Sequence, residues 1–157
     1  TADCIPILIY DRVHHAVAAV HAGWRSTVLR IPEAVLQAMA GAYGTRPQDV
    51  EAAIGPGISL EAFEVGNEVY EAFRTVGFPM GEMARRYPAA GDGSGRMEKW
   101  HLDLWQANRG LLEGCGVPST RIHLAGVCTY LHSERFFSAR RLGIRSGRIL
   151  NGIFLTD

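Results

Sequence analysis

The sequence predicts an α+β fold, on three observations. Short apolar runs of strand type recur at positions 5–10, 16–21, 50–54, 122–127 and 148–155. Between them lie stretches with apolar residues at helical spacing. The two kinds of element follow no strict strand–helix–strand rhythm, which favours segregated layers over a doubly wound parallel sheet.

The first two runs are separated by Asp11-Arg12-Val13-His14, a polar turn, so they read as a β-hairpin. Symmetry about Arg12 and Val13 sets Cys4 directly opposite His21, on one face and with Cβ atoms about 4.5–5.5 Å apart. Gly23 ends the second strand, and Ser26 is the expected cap of a helix running to about Met39. Val28, Ile31, Val35, Leu36 and Met39 form its apolar stripe, and Pro32 kinks it or starts a second helix. Val50 to Ile54 is a strand ending in the loop Gly55-Pro56-Gly57. Asn67 is read as the cap of a helix to about Thr75, with Val69, Ala72, Phe73 and Val76 facing the core. The stretch 80–99, which includes GDGSG, reads as irregular and mobile. Asp103 caps a helix ended by Gly114-Cys115-Gly116, after which 122–127 is a buried strand and 148–155 a final one.

Composition narrows the function classes. The chain of 157 residues is long enough for one domain with its own core, taken as 1–157. Acidic and basic residues cancel, so no global field recruits nucleic acid or an anionic membrane. No apolar run approaches the roughly 18 residues needed to span a bilayer. Cys4, Cys115 and Cys128 are odd in number and form no CxxC pair, which suits a reducing, cytoplasmic setting. The chain starts TADC, without a methionine and almost inside a strand, and so reads as part of something longer.

Three places carry chemistry-bearing side chains. Cys4 and His21 are either ordinary buried residues, a nucleophilic pair, or two ligands of one metal ion. A catalytic zinc takes three protein ligands and an open position, so a third is needed, from outside the chain or from His101, His123 or His132. Asp3, next to Cys4, points to the other face of the strand and is a weaker ligand candidate. In His21-Ala22-Gly23-Trp24-Arg25, a glycine turn into a helix suits an anion, and Arg25 adds a bidentate contact; the alternative is a core Trp24 and a surface charge. From Arg135 to Arg148 stand five arginines and no acidic residue after Phe136 and Phe137, either a solvated face or an aromatic and cationic pocket.

Taken in order, TADC, VHAGWR, AIGPGI with FEVGNEV, HLDLWQANR, and CT followed by FFSARR and SGR closely resemble the YfiH-like family, long labelled multicopper polyphenol oxidoreductase or laccase-domain proteins. The resemblance covers essentially the whole chain. Two positions depart from the family pattern: Ser26 stands where a glycine is usual, and Ala139 where a tyrosine is usual. The resemblance implies a layered α/β/β/α sandwich with mixed sheets. It further implies zinc held by Cys4 and His21, the third ligand being a histidine of an upstream motif that this chain does not contain. The zinc site of the chain alone is then incomplete, and full activity is not expected of it.

The activity implied is phosphorolysis of adenosine, inosine or guanosine, together with adenosine deamination, one Lewis-acidic metal serving both. The partners are then a small nucleoside and phosphate, with neither nucleic acid nor membrane, and the protein a monomer. Catalytic roles fall to Cys4, His21 and Arg25. Gly23, Trp24, Phe137, Arg140 and Arg141 would bind substrate or phosphate. Copper is disfavoured, because six histidines with no HxH pair are a poor donor set for a multicopper centre. Two other readings remain: an amidase editing peptidoglycan precursors with a Cys/His site, and a non-catalytic metal-binding or structural domain.

Overall fold

A computed structural model describes residues 1–89 and 97–156. Two sheets and a set of helices build the α+β architecture. The larger sheet has the order β2-β1-β3-β7, from Ala16–Ala22, Ile5–Asp11, Val50–Ile54 and Ile122–Leu124. Its pairs are antiparallel except β3 with β7, which is parallel. The smaller sheet, order β4-β6-β5, is antiparallel and joins Glu64–Val65, Glu98–Leu102 and Ala84–Pro88.

The alternation of β1 explains its place at the centre of the larger sheet. Ile5, Ile7 and Ile9 are fully buried and share one face. Leu36 and Met39 of α2 (Ile31–Tyr43) join that core, as do Leu111 and Leu112 of α5 (Leu104–Gly114). α1 (Trp24–Val28) is tied to α5 inside the core by Asn108, whose Nδ2 donates to Thr27 Oγ1 at 3.1 Å and to the Leu104 carbonyl at 2.8 Å. Asp103 caps α5 as expected, accepting from the Gln106 amide at 2.9 Å.

Several expectations are corrected. The hairpin pairs Pro6 with His21 and Asp11 with Ala16, two residues out of the expected register. Buried Asp11 causes the difference: its Oδ1 accepts from the amides of Val13 and His14 at 2.9 and 3.0 Å, closing a four-residue turn. Because the shift is even, Cys4 and His21 stay on one face, diagonal rather than opposed. Of the two outcomes expected of Pro32 the second is found: the 26–39 stretch is two helices, with Arg30 between them in the left-handed region (φ 58°) and Pro32 in the first turn of α2.

Neither Ser26 nor Asn67 is a cap. Gly23 and Gly66 hold those positions, Asn67 being the first residue of α3 (Asn67–Thr75), and the Ser26 hydroxyl donates back to the His21 and Gly23 carbonyls. The stretch 80–99 holds the short α4 (Met80–Met83), strand β5 and the start of β6, while GDGSG lies outside the described residues. The expected final strand is not found: among the described residues of 148–155, only Ile149 pairs in the backbone with another described residue, exchanging two hydrogen bonds with Thr1.

Candidate active site

The two most reactive side chains of the hairpin meet at its open end. Beyond the last ladder pair, Ile5 with Ala22, the chain turns at Gly23 into α1. A Cβ on Gly23 would lie 3.0 Å from Cys4 Sγ and 3.9 Å from His21 Nε2. The missing side chain therefore leaves a small cradle faced by a sulfur and an imidazole nitrogen. Cys4 is half-buried and His21 exposed, and a cavity of about 190 Å³ beside His21 is lined by Pro6, Leu8, Ala19, Ile149 and Asn151.

Burial and charges of both signs act on Cys4 in that cradle. Burial pushes the Cys4 thiol up, and the Asp3 carboxylate adds to it, while Arg148 and the Thr1 amino group oppose. Cys4 is thus held as a thiol, and a metal cation there would exchange with its proton. Thiolate and imidazole are borderline-soft donors of the kind zinc takes, so the pair fits as two of its ligands. Among the described residues no group of three or more His, Cys, Asp or Glu side chains is placed to hold a metal ion. His101 lies in the smaller sheet, with Nδ1 3.0 Å from the Leu60 carbonyl. His123 pairs with Glu51 and His132 with Glu134, so none of the three joins Cys4 and His21.

Asp3 organises what surrounds Cys4, where sequence reasoning weighed it only as a weaker metal-ligand candidate. Its backbone is left-handed (φ 77°), and its buried carboxylate accepts from Thr129 Oγ1 at 2.8 Å and from the Arg140 amide at 2.7 Å. Its carbonyl accepts from the Ile58 amide. One residue thereby ties the Cys4 strand to the Gly55-Pro56-Gly57 loop and to the segment carrying Phe137, Arg140 and Arg141. The sequence signal was present: an aspartate is among the few non-glycine residues that tolerate positive φ.

The arginines divide. Arg25 is exposed, its guanidinium 4.3 Å from the ring centroid of its neighbour Trp24. α1 has only five residues, so its dipole contributes little at Gly23, and Arg25 carries the expectation of anion binding there. Arg140 reaches away, donating to the Glu64 carbonyl at 2.9 Å, and Arg141 lies over Tyr130. Phe137 is half exposed and packs against Gly147, next to the Arg148 that acts on Cys4. Another cavity, of about 350 Å³, lies between α4 and α5; the Arg30 and Arg109 on its wall are paired with Glu33 and Glu113.

Residues 1–156 match the family model described as multi-copper polyphenol oxidoreductase laccase. The chain belongs to this family. It is 53% identical over 155 residues to a purine nucleoside phosphorylase of Bacteroides thetaiotaomicron, covering 99% of this chain and 55% of that protein. It is 44% identical over 154 residues to adenosine deaminase RL5 of an unknown prokaryotic organism, covering 98% of this chain and 56% of the relative. Among solved structures it matches the Bacillus licheniformis hypothetical protein YfiH with a TM-score of 0.78 and 30% identity, over 90% of this chain and 50% of that one. The fold is that of the YfiH structures, as the motifs implied. The chain spans about half the length of the curated relatives it matches. Among the described residues no helix is long and apolar enough to cross a membrane.

Proposed function

We propose that this chain carries part of the active site of a purine nucleoside phosphorylase that also deaminates adenosine, with Cys4 and His21 as zinc ligands. The observation that carries the reading is the convergence of Cys4 Sγ and His21 Nε2 on the space left by Gly23. Relatives named for both activities support it. Cys4 and His21 would hold the zinc, which when bound would supply Lewis acidity toward a substrate oxygen.

The chain's own residues bind and orient. Arg25, held over Trp24, offers the planar fork that suits a phosphate dianion. Asp3 holds the loop of Phe137 against the Cys4 strand, which limits solvent on that side. In phosphorolysis the C–N bond to the base breaks, a phosphate oxygen bonds the ribose C1′, and the base leaves with a proton.

The test is metal content with phosphate-dependent release of hypoxanthine from inosine, on the complete protein and on Cys4→Ala and Gly23→Ala. We expect near-stoichiometric zinc and turnover in the parent, and loss of both in Cys4→Ala. Gly23→Ala keeps both ligands but sets a methyl 3.0 Å from Cys4 Sγ, so its zinc affinity should fall about tenfold or more. Stoichiometric zinc without nucleoside turnover would sink the phosphorylase reading. Turnover that survives in Cys4→Ala would sink the site.

A further inference from the structure

β1 carries apolar side chains on both of its faces. Ile5, Ile7 and Ile9 are fully buried in the core shared with α2 and α5. Pro6, Leu8 and Tyr10 alternate with them, and the register sets these beside His21, Ala19 and Val17 of β2. Leu8 also neighbours Ala53 of β3, which is exposed, as Ala19 is. An antiparallel sheet with water on one side alternates apolar and polar residues; one that is apolar on both sides packs a layer against each.

The segment 149–156 crosses that second face. Residues 149–151 line the cavity of about 190 Å³ with Pro6, Leu8 and His21, and residues 153–156 line another, of about 590 Å³, with Tyr10 and Val17. The segment therefore runs in the direction of β1, laid over its outer side. Its exposure alternates: Ile149, Asn151 and Ile153 are half-buried, whereas Leu150, Gly152 and Phe154 are exposed, Leu150 at 97% and Phe154 at 81%. A period of two is that of an extended strand with one side on a surface. Among the described residues, however, no backbone group of 150–156 has a hydrogen-bond partner. Two unpaired edges and an apolar outer side describe a strand without its sheet.

We infer that 149–156 is one strand of a second β-layer over the Leu8 and Ala19 face, completed by strands of the same polypeptide from outside residues 1–157. The chain matches 55% and 56% of the lengths of two relatives along 99% and 98% of its own, so nearly half of each relative has no counterpart here. A strand takes about 5–6 residues, and that length supplies the several strands needed to cover the face. A second copy pairing through the same segment would add one strand and leave Ala53 bare. Because Ile149 and Asn151 already line the cavity beside His21, the strand that pairs with this segment brings its side chains to the candidate site.

Amide hydrogen exchange on the complete protein, read on peptides spanning 149–156, tests this placement. Amides from Leu150 to Leu155 should exchange about a hundredfold or more slower than in an unstructured chain, at every protein concentration. A photo-crosslinker in place of Phe154 should join to a segment of the same molecule outside 1–157. Exchange at the unstructured rate overturns the inference. So does a crosslink confined to residues 1–157. Protection that grows with protein concentration, or a crosslink between molecules, assigns the face to a second copy and overturns it as well. Exchange is read on the unmodified protein, so it decides the matter even if the crosslinker variant fails to fold. Neither zinc nor nucleoside turnover is measured: failure here leaves the proposed function standing, and failure of that function leaves this layer standing.

Discussion

Replacing Asp3 separates two contributions that one residue makes. Its carboxylate holds Thr129 Oγ1 at 2.8 Å and the Arg140 amide at 2.7 Å, and Thr129 is fully buried. A hydrogen bond to a charged acceptor contributes about 1.5–3 kcal/mol, so losing both costs about 3–6 kcal/mol. That is a large share of the roughly 5–15 kcal/mol by which a typical domain is stable. The left-handed backbone (φ 77°) adds about 1 kcal/mol against any residue with a plain Cβ.

Three variants follow from this. Asp3→Ala should lose about 4–7 kcal/mol, or fail to fold. Asp3→Gly, which adopts positive φ freely, should be about 1 kcal/mol more stable than Asp3→Ala. Asp3→Asn tolerates the backbone and can accept one bond but turns an NH2 toward the other donor, for a loss of about 1–3 kcal/mol. Urea unfolding followed by tryptophan fluorescence measures all three. Equal losses for alanine and glycine would refute the backbone argument. A neutral asparagine would refute the claim that the carboxylate anchors the loop.

Asp11 makes stability depend on acid. Burial alone would raise its carboxyl, but the His14 and Val13 amides and the His14 imidazole hold it well below the usual carboxylate range. A group depressed in the fold contributes stability that is complete above about pH 4 and drains away as the pH falls toward the folded value. Urea midpoints between pH 3 and 7 should drop on the acid side, and Asp11→Asn should be weaker at neutral pH with a flatter acid limb. A variant as steep as the parent would mean other carboxyls set the slope. Asn108→Ala should cost about 2–4 kcal/mol by leaving a cavity and an unpaired Thr27 hydroxyl. Adding Thr27→Val to Asn108→Ala should cost less than the two single losses combined; strict additivity in a double-mutant cycle would deny the pairing. Gly57→Ala would set a methyl 3.0 Å from the Asp3 carbonyl and closer still to Ile5 Cδ1, so a loss of about 1–3 kcal/mol is expected in thermal unfolding.

Much of the fold was legible along the chain because its signals are local. The alternation of Ile5, Ile7 and Ile9 marks a central strand, Val50–Ile54 is bounded where its apolar run ends, and Asp103 caps α5 where an aspartate precedes an apolar period. β5 and β6 were missed because Arg85, Arg86, Glu98 and Lys99 give them too little hydrophobic alternation. They form through pairing with each other and with β4, which no window of sequence contains. At 148–155 the error ran the other way: β-type composition was present, but among the described residues only Ile149 finds a backbone partner.

The sequence by itself determined which chemistry stands at the end of the first hairpin. A cysteine and a histidine flank two apolar strands, and any even register puts them on one face. Tertiary structure decided how they meet, because the turn is set by a buried Asp11 whose bonds to Val13 and His14 displace the pairing by two residues. It also decided that Asp3 is an anchor and that His101 is buried against the Leu60 carbonyl. Thr129 and Arg140 lie 126 and 137 residues from Asp3, and Leu60 lies 41 from His101. Hydrogen bonds over such separations leave no periodicity in the chain; they exist only once burial has brought their partners together.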